Sequence, residues 1–211
     1  GHILAFRTEQ IESALKHLRK RDKVLRKVIT SAGDFTLKPK RDRFAMLVQS
    51  IISQQISTSA ATSIRKRLTE MLAPEKISAA VILKYSPEEL REAGVSPQKA
   101  GYMLDLCRCT TDGTVKLSQL GRLSDERVIE ELTKIRGIGV WTAQMFLMFS
   151  LCRPDVFPVG DLGIRNGIGK MYRFTERPSE AECLEISEKW APYRTIASWY
   201  CWRVLESDDE W

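Results

Sequence analysis

The chain has 211 residues, a length typical of one large domain or two small lobes. Hydrophobic residues make up 43% of the chain and charged residues 28%, a composition that excludes a disordered chain. Its 33 Lys and Arg residues against 27 Asp and Glu residues leave a net charge of +6, which favours a polyanionic partner without requiring one. The longest apolar-leaning run, 140–152, includes Thr142, Gln144 and Ser150 and is too short and too polar to span a bilayer. Because no secretory signal opens the chain either, we expect no membrane association. The expected location is the cytoplasm of a bacterium or the nucleus of a eukaryote.

Helical periodicity runs through the chain, and no segment alternates as a strand between hairpin signals, so the predicted fold class is all-α. Helices are expected first near 8–19 and 21–32. An apolar stripe from Phe44 to Ile52 then predicts a helix that ends near Gln54, and Ser57 is placed to cap a helix that continues to Leu68. The later helices are expected near 75–83, 87–92, 97–110, 124–135, 140–151, 161–173, 179–190 and 192–205.

No linker rich in Pro, Gly and Ser interrupts the chain, so two lobes should pack closely with a cleft between them. Lobe A is expected over about 40–155, including a hairpin at 132–144. Lobe B is expected over about 3–39 and 156–205, and residues 206–211 form an acidic tail.

Five cysteines occur at irregular spacings, at positions 107, 109, 152, 183 and 201. This odd number matches neither a disulfide framework nor a zinc site. The cysteines also do not supply four closely spaced thiolates for an iron–sulfur cluster. We expect reduced thiols and no redox-active metal.

The segment 132–144 contains two glycines, Gly137 and Gly139, between helical patterns. A Gly-x-Gly turn beside a helix N-terminus can present backbone N–H groups to a phosphate, and Lys134 and Arg136 add positive charge there. An ordinary tight turn between helices would use glycines in the same way. The pattern alone leaves both interpretations open.

Asp161 follows the apolar segment Phe157-Pro-Val-Gly and lies 20 positions after Trp141. A carboxylate at this point can serve as a helix N-cap.

Together, the hairpin, its following helix and the later aspartate resemble the helix–hairpin–helix (HhH-GPD) DNA glycosylase superfamily. Two further segments carry the resemblance: 51–57 is similar to the helix–loop with which these enzymes enter the duplex, and 190–203 is similar to the last helix of the 3-methyladenine DNA glycosylase II branch. The resemblance covers most of the chain. It implies two closely packed helical lobes with a cleft and no N-terminal β-domain.

The resemblance also implies site residues. Asp161 matches the essential aspartate, and Gln55 matches the residue that fills the gap left by a flipped nucleotide, although Gln54 and Gln55 could instead cap the helix end. Arg194 is expected to support the aspartate loop or to pair with a carboxylate. The residues expected to bind DNA through the hairpin are Lys134, Arg136, Gly137, Ile138, Gly139 and Thr142.

The resemblance further implies a base pocket formed by Trp141, Met145 and Trp202. For Trp202 a place in the core is equally expected, because Trp199, Tyr200 and Trp202 crowd one helix. Bifunctional relatives carry a nucleophilic lysine at the position of Trp141, so we expect no lyase activity. Met145 stands where the bacterial enzyme has tyrosine, which leaves the base preference open.

The expected function is therefore monofunctional hydrolysis of alkylated purines, 3-methyladenine and 7-methylguanine, from duplex DNA in base excision repair. Hypoxanthine, etheno-adenine or a mismatched base is an alternative target, and a non-catalytic lesion-binding module is a further alternative. We expect a monomer whose partner is damaged double-stranded DNA. No cofactor should be required beyond a monovalent Na⁺ or K⁺ ion held by hairpin carbonyls of Thr133, Ile135 and Ile138.

Overall fold

The computed structural model describes residues 5–206, and within this range every regular element is a helix, which confirms the all-α prediction. Residues 207–211, which make up most of the predicted acidic tail, lie outside the described residues. Two 3-10 helices, Leu117–Arg122 and Glu188–Trp190, accompany the α-helices. The α-helices are α1 (Thr8–Arg21), α2 (Lys23–Ala32), α3 (Arg43–Ser53), α4 (Thr58–Leu72), α5 (Ala79–Ile82), α6 (Pro87–Glu92), α7 (Pro97–Thr111), α8 (Asp125–Thr133), α9 (Val140–Phe149), α10 (Leu162–Met171), α11 (Glu180–Ser187) and α12 (Arg194–Leu205).

Most predicted helices are confirmed, and the differences occur at their ends. The helix expected near 75–83 is wrong in extent: α5 begins only after Ser78, whose side chain accepts a hydrogen bond from the N–H of Val81. The 3-10 helix Leu117–Arg122 was not predicted. Its first carbonyl, that of Leu117, accepts a hydrogen bond of 2.5 Å from the guanidinium of Arg43, a partner 74 positions earlier.

The chain divides into two compact units. The central unit comprises residues 40–146. The terminal unit comprises the remainder, of which residues 5–39 and 147–206 are described. No helix among the described residues is long and apolar enough to cross a membrane.

In the central unit, α3 packs against α4 and α7. Its apolar stripe lies in the core, where Leu47 and Ile51 are fully buried. Ser57 caps α4, as predicted, by accepting a hydrogen bond of 3.1 Å from the N–H of Ala60. The last helices of the unit, α8 and the first part of α9, enclose the glycine hairpin.

In the terminal unit, α12 packs against α10 and α2. The approach of α10 to α12 is close, because a Cβ atom on Gly167 would lie 2.2 Å from the carbonyl oxygen of Cys201. Only glycine fits this contact. It fixes the middle of α10, whose N-cap is Asp161, relative to the last turns of α12.

A buried carboxylate, Asp22, joins the elements of the terminal unit. It caps α2, and its Oδ2 accepts hydrogen bonds from the Tyr172 hydroxyl and, at 2.8 Å, from the indole N–H of Trp190. Burial raises the pKa of Asp22, but the hydrogen bonds from Tyr172, Trp190 and the backbone of Leu25 and the charge of Lys189 outweigh it, so the pKa lies below its ordinary value. The charged form of this carboxylate therefore stabilises the fold.

Residues 147–155 belong to the terminal unit, whereas the sequence analysis placed them in lobe A. Hydrogen bonds to the beginning of α12 explain the difference. The hydroxyl of Thr195 donates to the carbonyl of Arg153 at 2.5 Å and accepts from the N–H of Val156 at 2.9 Å, and the N–H of Thr195 donates to the carbonyl of Pro154. Contacts so distant in sequence leave no local pattern.

Candidate nucleic-acid interface and active site

The hairpin of the central unit is a tight turn between α8 and α9. The N–H of Ile138 donates to the carbonyl of Ile135 at 3.1 Å, and Gly137 has a φ of +90°. Helix α9 then begins at Val140 with its first intrahelical bond, from Ala143 to Gly139. Since the N–H groups of a helix's first turn lack intrahelical partners, this end of α9 is suited to bind an anion.

The two hairpin glycines serve different purposes. A Cβ atom on Gly137 would lie 2.2 Å from Cγ of Tyr102, so this glycine is needed for packing and for its positive φ. A Cβ atom on Gly139 would meet nothing within 4 Å. Gly139 is therefore the glycine whose missing side chain leaves room for a partner.

The charged residues of the hairpin are held by neighbours. Lys134 forms an exposed ion pair of 2.7 Å with Glu131. The backbone N–H of Arg136 donates to Asp105 at 2.9 Å, and its guanidinium lies 5.7 Å from the ring centroid of Tyr102. Contacts with Tyr102 and Asp105 thus orient Arg136, whereas the carboxylate of Glu131 offsets the positive charge of Lys134.

A concave surface of about 540 Å³ lies against the hairpin. Trp141 is 39% exposed, so its ring is accessible to a partner. Thr142 is 2% exposed, and its hydroxyl accepts a hydrogen bond of 3.4 Å from Ser50. The predicted DNA contacts of Thr142 and of buried Ile138 could therefore come only from their backbones. The surface is lined by Gln54, Gln55, Tyr102, Gly137, Ile138, Gly139, Trp141 and Thr142.

The loop after α3 borders the same surface. Gln55 is exposed and has a φ of +56°. The amide of Gln54 donates to the carbonyl of Gly137 at 2.7 Å, and the ammonium of Lys99 donates to the carbonyl of Ile52 at 2.7 Å. These two braces, which the sequence analysis missed, join the loop to the hairpin and to α7. The alternative that the side chain of Gln54 caps the end of α3 is wrong, because its amide binds a carbonyl of the hairpin instead.

In the terminal unit, Asp161 is the N-cap of α10, and this interpretation of the residue is confirmed. Its Oδ2 accepts a hydrogen bond of 2.9 Å from the N–H of Ile164 and another of 2.9 Å from the indole N–H of Trp202. A carboxylate that caps a helix keeps its negative charge. The arrangement is therefore compatible with the predicted catalytic role, which remains a prediction.

The structure separates the tryptophans of α12. Trp199 is 6% exposed and packs edge-on against Phe35 and Tyr200 in the core. Trp202 is half-buried and contacts Asp161. Of the residues predicted for a base pocket, Met145 is buried, with 6% of its surface exposed.

Arg194, at the beginning of α12, pairs with the carboxylate of Asp155, which is the second of the two roles expected for it. The guanidinium donates two hydrogen bonds of 2.8 and 2.9 Å, and the backbone N–H donates a third to the same side chain. Burial raises the pKa of Asp155, but these bonds lower it below its ordinary value. The ion pair attaches the segment before Asp161 to α12.

The predicted cation ligands lie within one turn of the hairpin. The carbonyl of Ile135 already accepts the N–H of Ile138, but a carbonyl oxygen has a second lone pair. Neutral oxygen donors are suitable for a monovalent cation. The carbonyls of Thr133, Ile135 and Ile138 therefore stay the predicted ligands of such an ion.

Comparison with known proteins gives consistent results. The family described as "HhH-GPD superfamily base excision DNA repair protein" matches residues 48–192. DNA-3-methyladenine glycosylase 1 of Schizosaccharomyces pombe is 35% identical over 177 residues, which cover 81% of this chain and 75% of the relative. The Bacillus subtilis protein YfjP is 35% identical over 166 residues, which cover 76% of this chain, and this chain spans 58% of that relative's length.

Among solved structures, the S. pombe 3-methyladenine DNA glycosylase Mag1 in complex with abasic DNA superposes with a TM-score of 0.86 at 32% identity. The match covers 93% of this chain and 98% of the Mag1 chain.

Proposed function

We propose, since this chain belongs to the HhH-GPD superfamily of base excision DNA repair proteins, that it is a DNA glycosylase that hydrolyses the N-glycosidic bond of alkylated purines in duplex DNA. The expected substrates are 3-methyladenine and 7-methylguanine. The observation that carries the proposal is the Asp161 carboxylate, held by two hydrogen bonds at the N-terminus of α10, in a chain similar to a 3-methyladenine glycosylase over nearly its whole length.

The hairpin supplies DNA binding in this proposal. Gly139 leaves space beside the first turn of α9, where N–H groups can bind a backbone phosphate. The exposed Trp141 offers an aromatic face for a flipped base, and Gln55 is exposed on the loop that borders the hairpin. A purine alkylated at N3 or N7 is cationic, so an aromatic face attracts it.

Asp161 supplies the chemistry. As the bond between sugar and base lengthens, positive charge develops on the sugar, and a nearby carboxylate stabilises that charge or orients the attacking water. The cationic base leaves as a neutral purine without prior protonation. The reaction therefore needs no separate general acid.

Trp141, at the position where bifunctional relatives carry lysine, supports a hydrolytic reaction without strand cleavage. The product should be DNA with an intact abasic site that breaks only under alkali. Borohydride should trap no covalent adduct between protein and DNA, and a trapped adduct would show that an amine acts as the nucleophile.

We further propose that the protein acts as a monomer and requires no cofactor for the chemical step. A Na⁺ or K⁺ ion on the three hairpin carbonyls would supply positive charge near a bound phosphate. A glycosylase of the same fold for hypoxanthine, etheno-adenine or a mismatched base is the second candidate, because Met145 differs from the tyrosine of the bacterial enzyme.

Incubation of the protein with methylated genomic DNA, followed by chromatography of the released bases, tests the proposal. Release of 3-methyladenine and 7-methylguanine above the spontaneous rate is the expected result. If the protein instead releases only hypoxanthine or etheno-adenine, from duplexes that contain one of these lesions, the result would favour the second candidate. Tight lesion binding without any release would instead indicate a lesion-binding module.

A further inference from the structure

The indole of Trp202 is held on two sides. Its Nε1–H donates to Oδ2 of Asp161 at 2.9 Å, and its ring stacks on Phe149 with centroids 6.0 Å apart and an interplanar angle of 25°. The preceding residue, Cys201, is the one whose carbonyl packs against Gly167 of α10. The indole therefore lies next to the contact that packs α10 against α12.

Two hydrogen bonds to the Asp161 carboxylate, from the N–H of Ile164 and from the indole of Trp202, end on the same oxygen, Oδ2. The Cβ–Cγ torsion of a carboxylate is broad, so an N-cap bond by itself leaves the plane of the carboxylate a range of orientations. A donor that approaches Oδ2 from another helix narrows this range. It fixes the plane of the carboxylate and therefore the direction in which Oδ1 points.

We propose that Trp202 is a positioning residue, which holds the Asp161 carboxylate in one orientation through its indole N–H. This inference rests on the proposed function, since it assigns Trp202 a role through Asp161. It differs from the expected place of Trp202 in a base pocket, where the aromatic face rather than the N–H would act. Preorganised orientation matters because a carboxylate that must rotate during the reaction stabilises the transition state less.

Gly163 gives independent support. A Cβ atom at this position would lie 3.0 Å from Oδ2 of Asp161 and 3.1 Å from Cδ1 of Trp202. A methyl group there would press on both partners of the hydrogen bond at once. The absence of a side chain at Gly163 thus preserves the geometry that Trp202 imposes.

Replacement of Trp202 by 3-benzothienylalanine tests the inference, because sulfur replaces the indole N–H while the shape and the aromatic face stay the same. Under single-turnover conditions the isosteric variant should release 7-methylguanine roughly tenfold to 100-fold more slowly, the range of one hydrogen bond to a charged group. Its affinity for lesion-containing duplex should change by less than about threefold. Trp202→Phe should show the same separation between rate and affinity.

Trp199→Phe is the matched control, since Trp199 lies on the same helix within the core, and its rate should stay near that of the wild type. Gly163→Ala should slow release as the isostere does, whereas Gly160→Ala, whose Cβ atom would meet nothing within 4 Å, should not.

An isosteric variant that is as fast as the wild type would overturn the inference, and a slow Trp202→Ala in the same series would then assign the role to the aromatic face. Equal losses of rate and affinity in the isostere would also overturn it. If the wild type itself releases no alkylated base, the proposed function fails instead, and the two failures are distinguished.

Discussion

The same substitution, glycine to alanine, should affect the two hairpin glycines differently: at Gly137 it should lower stability, and at Gly139 it should weaken DNA binding. In Gly137→Ala the new Cβ atom would lie 2.2 Å from Cγ and 2.7 Å from Cβ of Tyr102, at a φ of +90°. Overpacking costs about 1–3 kcal/mol, and a left-handed conformation in a residue with a Cβ costs about 1–2 kcal/mol more. We expect a loss of about 2–5 kcal/mol in the free energy of unfolding and a fall of about 5–15 °C in the thermal midpoint.

Gly139→Ala should change stability by no more than about 0.5 kcal/mol, because its Cβ atom would point into open space. It should instead weaken binding to damaged and undamaged duplex alike by roughly tenfold, since a phosphate could no longer approach the backbone closely. Differential scanning fluorimetry measures the first effect. Fluorescence anisotropy with labelled duplexes at one fixed salt concentration measures the second.

The control for Gly137 is the double variant with Tyr102→Ala, in which the same methyl group should cost less because its steric partner is gone. Two results would refute the reasoning. One is a Gly139→Ala variant that binds undamaged DNA as tightly as the wild type. The other is a Gly137→Ala variant with an unchanged thermal midpoint.

Asp22→Asn should lower the free energy of unfolding by about 2–4 kcal/mol in urea titrations, because an amide N–H₂ would face the Trp190 and Tyr172 donors. Since the folded pKa of Asp22 lies below its ordinary value of 3.8, its stabilisation is complete above that value and is lost as pH falls through the folded pKa. The variant should therefore lose less stability on acidification than the wild type; equal pH dependence would contradict this. Asp155→Asn should cost about 1–2 kcal/mol and slow base release, because the segment before Asp161 loses its bidentate link to Arg194; an unchanged rate would show that this link does not support the site.

Most helices could be predicted because their signals are local. Ser57 caps α4, and the stripe of α3 faces the core, as the sequence pattern indicated. The 3-10 helix Leu117–Arg122 escaped prediction because it is short and its bond to Arg43 joins residues far apart in sequence. Helix α5 was predicted too long because the cap that begins it, Ser78, lies inside the expected range rather than before it.

The site was predictable only in part, because several of its contacts join residues that are far apart in the sequence. Asp161 and the glycines could be located by motif, but the separate purposes of Gly137 and Gly139 depend on Tyr102, a residue of α7. The braces from Gln54 and Lys99 also come from distant positions. Residues three apart on one helix have nearly the same direction, so the sequence could not tell which of the α12 tryptophans lies in the core.

Base release by Asp161→Asn tests the central claim most directly. Asparagine can still cap α10 and accept the indole N–H of Trp202, so the variant should fold as the wild type does and bind lesion-containing duplex within about tenfold of the wild-type affinity. Single-turnover assays on methylated duplex DNA should then show release of 3-methyladenine and 7-methylguanine by the wild type and a loss of at least about 100-fold in the variant, because the charge that stabilises the sugar cation is gone. Full activity of Asp161→Asn would contradict the account, since the carboxylate could then have no part in the reaction.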